Sequence, residues 1–282
     1  MSDQHPTVLL EGLRFPEAPR WHDGRLYLSD FYAHRVLAVG MDGKVETIVE
    51  VPQQPSGIGW MQDGTMLVVS MLDRKVMKWD GRRLSPHADL AAIATGNCND
   101  MVVDAQGRAY VGNFGYDRHK GEAQRTTAIA RIDPDGSASV AADDLLFPNG
   151  MVITQDGRTL IVAETFAHRL TAFDIGAGGA LSHRRVFAQL DGVFPDGICL
   201  DAEGAVWVAD PRGNRCLRVF DGGRIAQTVA TGDRGSYACM LGGEDRRTLF
   251  MLTNSGSGPA MHEKSDGRVE MLRVAVPGAG LP

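Results

Sequence analysis

One outline recurs six times along this chain: a loop residue, a short apolar run, a tight turn, and a second apolar run. The copies read EAPRWHDGRLYLSD from Glu17, SGIGWMQDGTMLVVS from Ser56 and NDMVVDAQGRAYVGN from Asn99. The others are NGMVITQDGRTLIVAE from Asn149, DGICLDAEGAVWVAD from Asp196 and ACMLGGEDRRTLFMLTN from Ala238. Five steps carry Glu17 to Ala238, a mean spacing of about 44 residues, which is the period of a β-propeller blade. Each apolar run is four or five residues long and flanks a turn, so the pair reads as antiparallel strands. Further β-type stretches follow, such as residues 35–49, 75–88 and 169–187, giving about four strands per copy.

No run of 10–15 residues shows the 3.6-residue period of an amphipathic helix, which argues against alternating β and α units. The sequence therefore predicts an all-β, six-bladed β-propeller with four antiparallel strands per blade. No seventh copy remains, and no long linker divides the chain, so residues 1–282 are expected to form a single domain. The segment TVLLEGL (7–13) precedes the first copy. It is expected to pair with GRVEMLRVAV (267–276) in the last blade, because a closed ring leaves no unpaired edge.

Composition narrows the function. A net charge of −6 without a basic block speaks against nucleic acid as a partner. No apolar run reaches the roughly 20 residues of a membrane span, so no membrane partner is expected. The start MSDQHPT is polar, without the layout of a secretory leader. Four cysteines lack metal or disulfide spacing and read as buried thiols of a cytoplasmic protein. The number of subunits is left open by the sequence.

In a propeller, the loop entering each innermost strand places equivalent residues around one mouth of the central channel. Those positions hold Glu17, Ser56, Asn99, Asn149, Asp196 and Ala238. Three of the six entries share the frame Phe-Pro-x, at Phe15, Phe147 and Phe194, and x is Glu17, Asn149 or Asp196. In a single copy such a side chain can simply cap a turn before a strand. Taken together, two carboxylates and two amides converge, and without a counter-ion the carboxylates would repel and lose solvation. Oxygen donors without thiolate or imidazole suit one hard divalent cation, calcium, magnesium or manganese, better than a structural zinc; calcium is expected first, with zinc kept only as a further alternative.

A second ring lies 13–16 residues further on: Asp30, Ser70, Asn113, Glu164, Asp210 and Asn254. These end strands or line the wall, with Asn113 and Glu164 the candidates for substrate contact. The irregular stretch 113–127 is expected to overhang the mouth, with Phe114 and Tyr116 as an apolar wall. Cys98 and Cys239 flank ring positions, and His168 follows Glu164 closely enough to approach the pocket. The other histidines scatter among turns, and the four tryptophans read as packing between blades. No G-x-S-x-G, H-E-x-x-H or phosphate-loop motif is present.

FPEAPRW, NDMVVDAQGRAYVGN, FPNGMVITQDGRTLIVAE, PDGICLDAEGAVWVAD and ACMLGGEDRRTLFM together resemble the SMP-30/gluconolactonase/LRE-like family, over residues 10–275. The resemblance implies one divalent cation held by Glu17, Asn149 and Asp196. It also implies that Asn99, followed by Asp100, contacts the cation's water or the substrate. Family members open lactones, and some relatives cleave phosphotriester-type bonds. The expected function is thus a metal-dependent lactonase acting on a small-molecule lactone; an organophosphate hydrolase and a non-enzymatic calcium-binding propeller are the alternatives. Asp196 is the candidate catalytic group, orienting or deprotonating water or attacking directly, and Asn99, Asn97, Asn113 and Glu164 are the candidate substrate contacts. Gluconolactonase-type members carry an arginine two residues before the Asn that here is Asn99, where it grips sugar hydroxyls; this chain has Asn97. Steady-state rates over a lactone panel should therefore favour poorly hydroxylated rings over gluconolactone, and a preference for gluconolactone would contradict this reading of Asn97.

Overall fold

The computed structural model describes residues 5–281. Its strands form six four-stranded antiparallel sheets, five of them running in sequence order outward from an innermost strand and the sixth closed by the first strand of the chain. Blade one comprises Pro16–His22, Arg25–Asp30, Arg35–Val39 and Val45–Glu50. Blades two to five follow over residues 55–89, 98–145, 148–189 and 198–230. Blade six takes Gly235–Gly242, Thr248–Asn254 and Gly267–Arg273 from the end of the chain, and Thr7–Leu13 from its start as the outermost strand. Thr7 pairs with Met271 and Leu13 with Gly267, the expected closure of the ring. The helical segments among the described residues are 3-10 turns of three residues, and no helix there is long and apolar enough to cross a membrane.

Burial follows strand order. Second strands such as Met66–Ser70 and Val206–Asp210 are buried along their whole length, because a neighbouring blade covers each face. Outermost strands such as Val45–Glu50 are mostly exposed. The apolar core consequently lies between blades. Trp21 of blade one stacks on Phe250 of blade six at 5.7 Å, and Trp60 of blade two stacks on His22 at 3.9 Å. At the turn end of the propeller, the segment after Arg273 crosses three blades, with backbone bonds from Val274 to Arg247, Ala279 to Leu200 and Leu281 to Ile153.

The innermost strands touch their neighbours all around the axis, and glycine makes the approach possible. A Cβ on Gly150 would lie 2.6 Å from the Ile198 nitrogen and 2.7 Å from the Asp196 oxygen. One on Gly197 would lie 2.5 Å from the Ala238 Cβ. The gap is instead bridged by main-chain bonds, Gly150 N–H to Asp196 O (3.2 Å) and Gly197 N–H to Tyr237 O (2.8 Å). The glycine in FPNG and FPDG is thus the contact between blades.

The acids of the second ring fix the loops entering the innermost strands. Asp30 accepts the backbone N–H groups of Arg14 and Phe15 and pairs with Arg35. Asp210 accepts from Phe194 N and pairs with Arg215. Glu164 accepts from Leu146 N, Thr171 and Arg169. Each carboxylate is fully buried and fully partnered, so it holds the Phe-Pro-x loop at a set height on the axis.

Gly150→Ala forces a methyl into backbone with no room to retreat, and overpacking of this kind costs about 1–3 kcal/mol. Urea unfolding should show that loss, whereas Gly178→Ala, where the new Cβ meets nothing within 4 Å, should leave the midpoint within error. Equal midpoints for both variants would contradict the contact role of Gly150.

Candidate active site at the channel mouth

The Phe-Pro-x frames sit just before or at the start of the innermost strands, and Phe15, Glu17, Phe147, Asn149, Phe194 and Asp196 all line one cavity of about 720 Å³. Two main-chain positions are bent to make this presentation. Ala18, just after Glu17, has φ 47°, and Phe147 has φ 57°, a left-handed region that costs a residue with a Cβ about 1–3 kcal/mol.

The ring residues converge at the buried end of the cavity. Ser56 Oγ donates to Asn99 Oδ1 at 3.3 Å, and Asn99 Nδ2 donates to Asn149 Oδ1 at 2.8 Å. Asn149 Nδ2 donates to Thr165 Oγ1 at 3.2 Å, and that hydroxyl donates to Pro195 O at 2.8 Å, beside Asp196. The amides are thus locked in orientation from both sides. Glu17 and Asp196 are each 9% exposed. Burial pushes the Glu17 carboxyl well above the usual range, and the negative fields of Asp196 and Asp100 add to it. Burial likewise raises Asp196 to about 8, against hydrogen bonding by Asn149 and the attraction of Arg118.

Arg20 braces this floor and was not anticipated from the sequence. Its buried guanidinium donates to Pro19 O (2.8 Å), Ile58 O (2.9 Å) and Asp100 Oδ1 (2.6 Å), joining blades one, two and three. Asp100 also accepts from its neighbour Met101 N. Its carboxylate is thereby occupied in fixing the strand that carries Asn99.

The walls are aromatic. Nine of the chain's nineteen aromatic residues line the cavity. Phe147 stacks on Phe114 at 4.5 Å and meets Phe166 edge-on at 4.9 Å, while Phe15 meets Tyr237 edge-on at 4.8 Å. The stretch expected to overhang the mouth supplies Phe114, Tyr116 and Arg118 to the lining. It spans to blade six, where Arg118 Nη2 donates to Ser257 Oγ at 3.1 Å.

Of the sequence candidates, Glu17, Asn97, Asn99, Asn149 and Asp196 line the cavity. Asn113 and Glu164 lie outside its lining: Asn113 Oδ1 accepts from Gly96 N, Gly115 N and Thr127 Oγ1, and Glu164 is spent as described. Ser56 supports Asn99 from outside the lining, and Ala238 is replaced there by its neighbour Tyr237. His168 hydrogen-bonds Val193 O and packs edge-on against Phe194 without reaching the cavity. All four cysteines are buried and unpaired, and burial pushes the Cys98 thiol to about 12, far from thiolate chemistry. The only signal for Phe15, Phe147 and Phe194 was the repeated Phe-Pro frame itself, since all three precede the strands. Arg118, Arg212 and Thr165 come from loops whose course no spacing rule reveals.

The donor set suits a hard divalent cation. Two buried carboxylates and the amide oxygens of Asn149 and Asn99, each of which accepts one hydrogen bond and keeps a second lone pair, offer oxygen donors without thiolate or imidazole. Their raised proton affinity is what two desolvated acids show when only protons relieve their charge. A bound cation would relieve it instead.

A family model described as the SMP-30/gluconolactonase/LRE-like region matches residues 15–255. A 6-deoxy-6-sulfogluconolactonase from Pseudomonas putida is 29% identical over 281 residues, covering 94% of this chain and 93% of that protein. A pentonolactonase from Haloferax volcanii is 28% identical, covering 95% and 93%. A crystal structure of a calcium-binding protein, regucalcin, from Agrobacterium tumefaciens superposes with a TM-score of 0.83 at 19% identity, over 99% of this chain and 96% of that one. Six blades, the Phe-Pro-x entries and the matched span make this chain a member of the SMP-30/gluconolactonase/LRE-like family.

Proposed function

We propose that the protein hydrolyses lactones at a divalent cation, calcium in the first instance, bound by Glu17, Asn149 and Asp196. The observation that carries this reading is the meeting of two desolvated carboxylates and an oriented amide at the floor of a cavity large enough for a small cyclic ester. The lactonase names of the relatives support it.

Bound at that floor, a cation would polarise the ester carbonyl and lower the pKa of nearby water. The aromatic walls exclude solvent and hold the ring. Asn99, fixed between Ser56 and Asn149, keeps an amide edge at the floor to orient the ester group. Asp196 accepts the proton of the attacking water. The water oxygen bonds to the carbonyl carbon, the ring C–O bond breaks, and the ring oxygen leaves as the alcohol on taking back the proton that Asp196 accepted. The product is an open hydroxy acid.

Asp196→Asn removes the base, and kcat/KM on a chromogenic lactone should fall by about 100-fold or more. Glu17→Gln should weaken calcium binding by about tenfold or more, read by titration calorimetry, and chelation by EDTA should abolish turnover reversibly. Activity retained in both variants would overturn the assigned site.

A proton must leave Asp196 for the cation to bind, and its metal-free pKa is about 8. As pH falls, the apparent calcium affinity should weaken by up to about tenfold per pH unit for each proton displaced, the raised Glu17 carboxyl adding a second to that of Asp196, and it should flatten once both are ionised. Affinity independent of pH between 6 and 8 would show that Asp196 is not displacing a proton on binding.

A further inference from the structure

Charges around the cavity do not balance once the floor is neutralised. Among the acids in its lining, Asp117 is held by Lys120 at 3.1 Å, and Glu122 by Arg125 at 3.2 Å. Glu17 and Asp196 face the divalent cation. Three arginines in the same lining, Arg74, Arg118 and Arg212, make no ion pair with any described carboxylate. Arg74 spends one N–H on Ala94 O and Arg118 one on Ser257 Oγ, and Arg212 sits over Phe194 with its guanidinium carbon 4.0 Å from the ring centre. In a chain carrying a net −6, the mouth of this cavity is a local positive field.

The geometry points to a subsite for an anionic substituent on the substrate, with Arg118 and Arg212 as its anchors. The reading rests on the proposed lactone hydrolysis and names the class of lactone: an apolar ring bearing a carboxylate, sulfonate or phosphate away from the ester. Placement supports the assignment. Glu17 and Asp196 lie buried at the floor, whereas Arg118 and Arg212 are exposed at the rim, so an ester seated at the floor sends its far end to the guanidinium groups. Arg118 acts from a strap that crosses from blade three to blade six, and its field reaches Asp196, Tyr32 and Tyr237. The contact with Phe194 positions the Arg212 guanidinium at the rim, and guanidinium forks match carboxylate, sulfonate and phosphate oxygens. The aromatic wall takes the ring between the two ends.

Binding of unreactive ring anions tests this apart from catalysis. Cyclohexanecarboxylate, cyclohexanesulfonate, cyclohexyl phosphate and neutral cyclohexanol would be titrated into the calcium-loaded protein and into Arg118→Gln, Arg212→Gln and the double variant. At least one anion should bind tenfold or more tightly than cyclohexanol, lose that advantage in the double variant, and weaken as salt rises; the preferred anion identifies the substituent. Anions that bind no better than cyclohexanol, or that bind the double variant as tightly as the parent, overturn the subsite. A paired kinetic series, a simple lactone against its carboxylate-bearing analogue, separates the two readings. Turnover of both with equal kcat/KM sinks the subsite and keeps the lactonase. Selective anion binding without turnover of either keeps the subsite and removes the lactonase.

Discussion

Everything at the channel mouth depends on how closely the innermost strands approach the axis. At Gly150 and Gly197 a methyl group has no space, and backbone bonds to Asp196 O and Tyr237 O fill the gap between blades. Residues 179 positions apart in the chain, Glu17 and Asp196, are thereby brought into one another's field. The axis position therefore accepts a narrow set of residues, and the side chains beside these glycines become neighbours without any long-range motif in the sequence.

Such crowding would destabilise two carboxylates, and the fold meets the cost by bracing the site from outside. Asp30, Glu164 and Asp210 anchor the entry loops, Arg20 and Asp100 tie three blades beneath Glu17 and Asn99, and Thr165 sets the Asn149 amide. The carboxylates themselves keep no basic partner in contact. Full partnering of the supporting acids, with no basic contact for the central pair, is the observation on which the proposed cation site rests.

The architecture was legible because repetition multiplies a weak signal. One strand-turn-strand copy is ambiguous, whereas six at steps of 39 to 50 residues fix blade number, strand order and the closing role of Thr7–Leu13. Convergence of Glu17, Asn99, Asn149 and Asp196 followed from the same register. The reading of Asn113 and Glu164 as possible contacts shows where register stops helping: it places them near the mouth but cannot say that Gly96, Gly115, Leu146 and Arg169 consume their polar atoms. Arg118, Arg212 and Ser257 were invisible for another reason. Arg118 reaches Ser257, and Arg212 reaches Phe194, through connecting segments whose paths are set by tertiary packing, not by any strand period.

Two zones divide the cavity, a floor of oxygen donors and a rim of guanidinium groups, with aromatic rings between them. The floor carries the central claim, that the axis gathers Glu17, Asn149 and Asp196 around a single ion. A crystal grown in calcium and measured for anomalous scattering tests it directly. The account predicts one peak on the channel axis, about 2.4 Å from oxygens of all three side chains. A calcium-saturated crystal with no peak there, and with the three side chains turned away from one another, would contradict it.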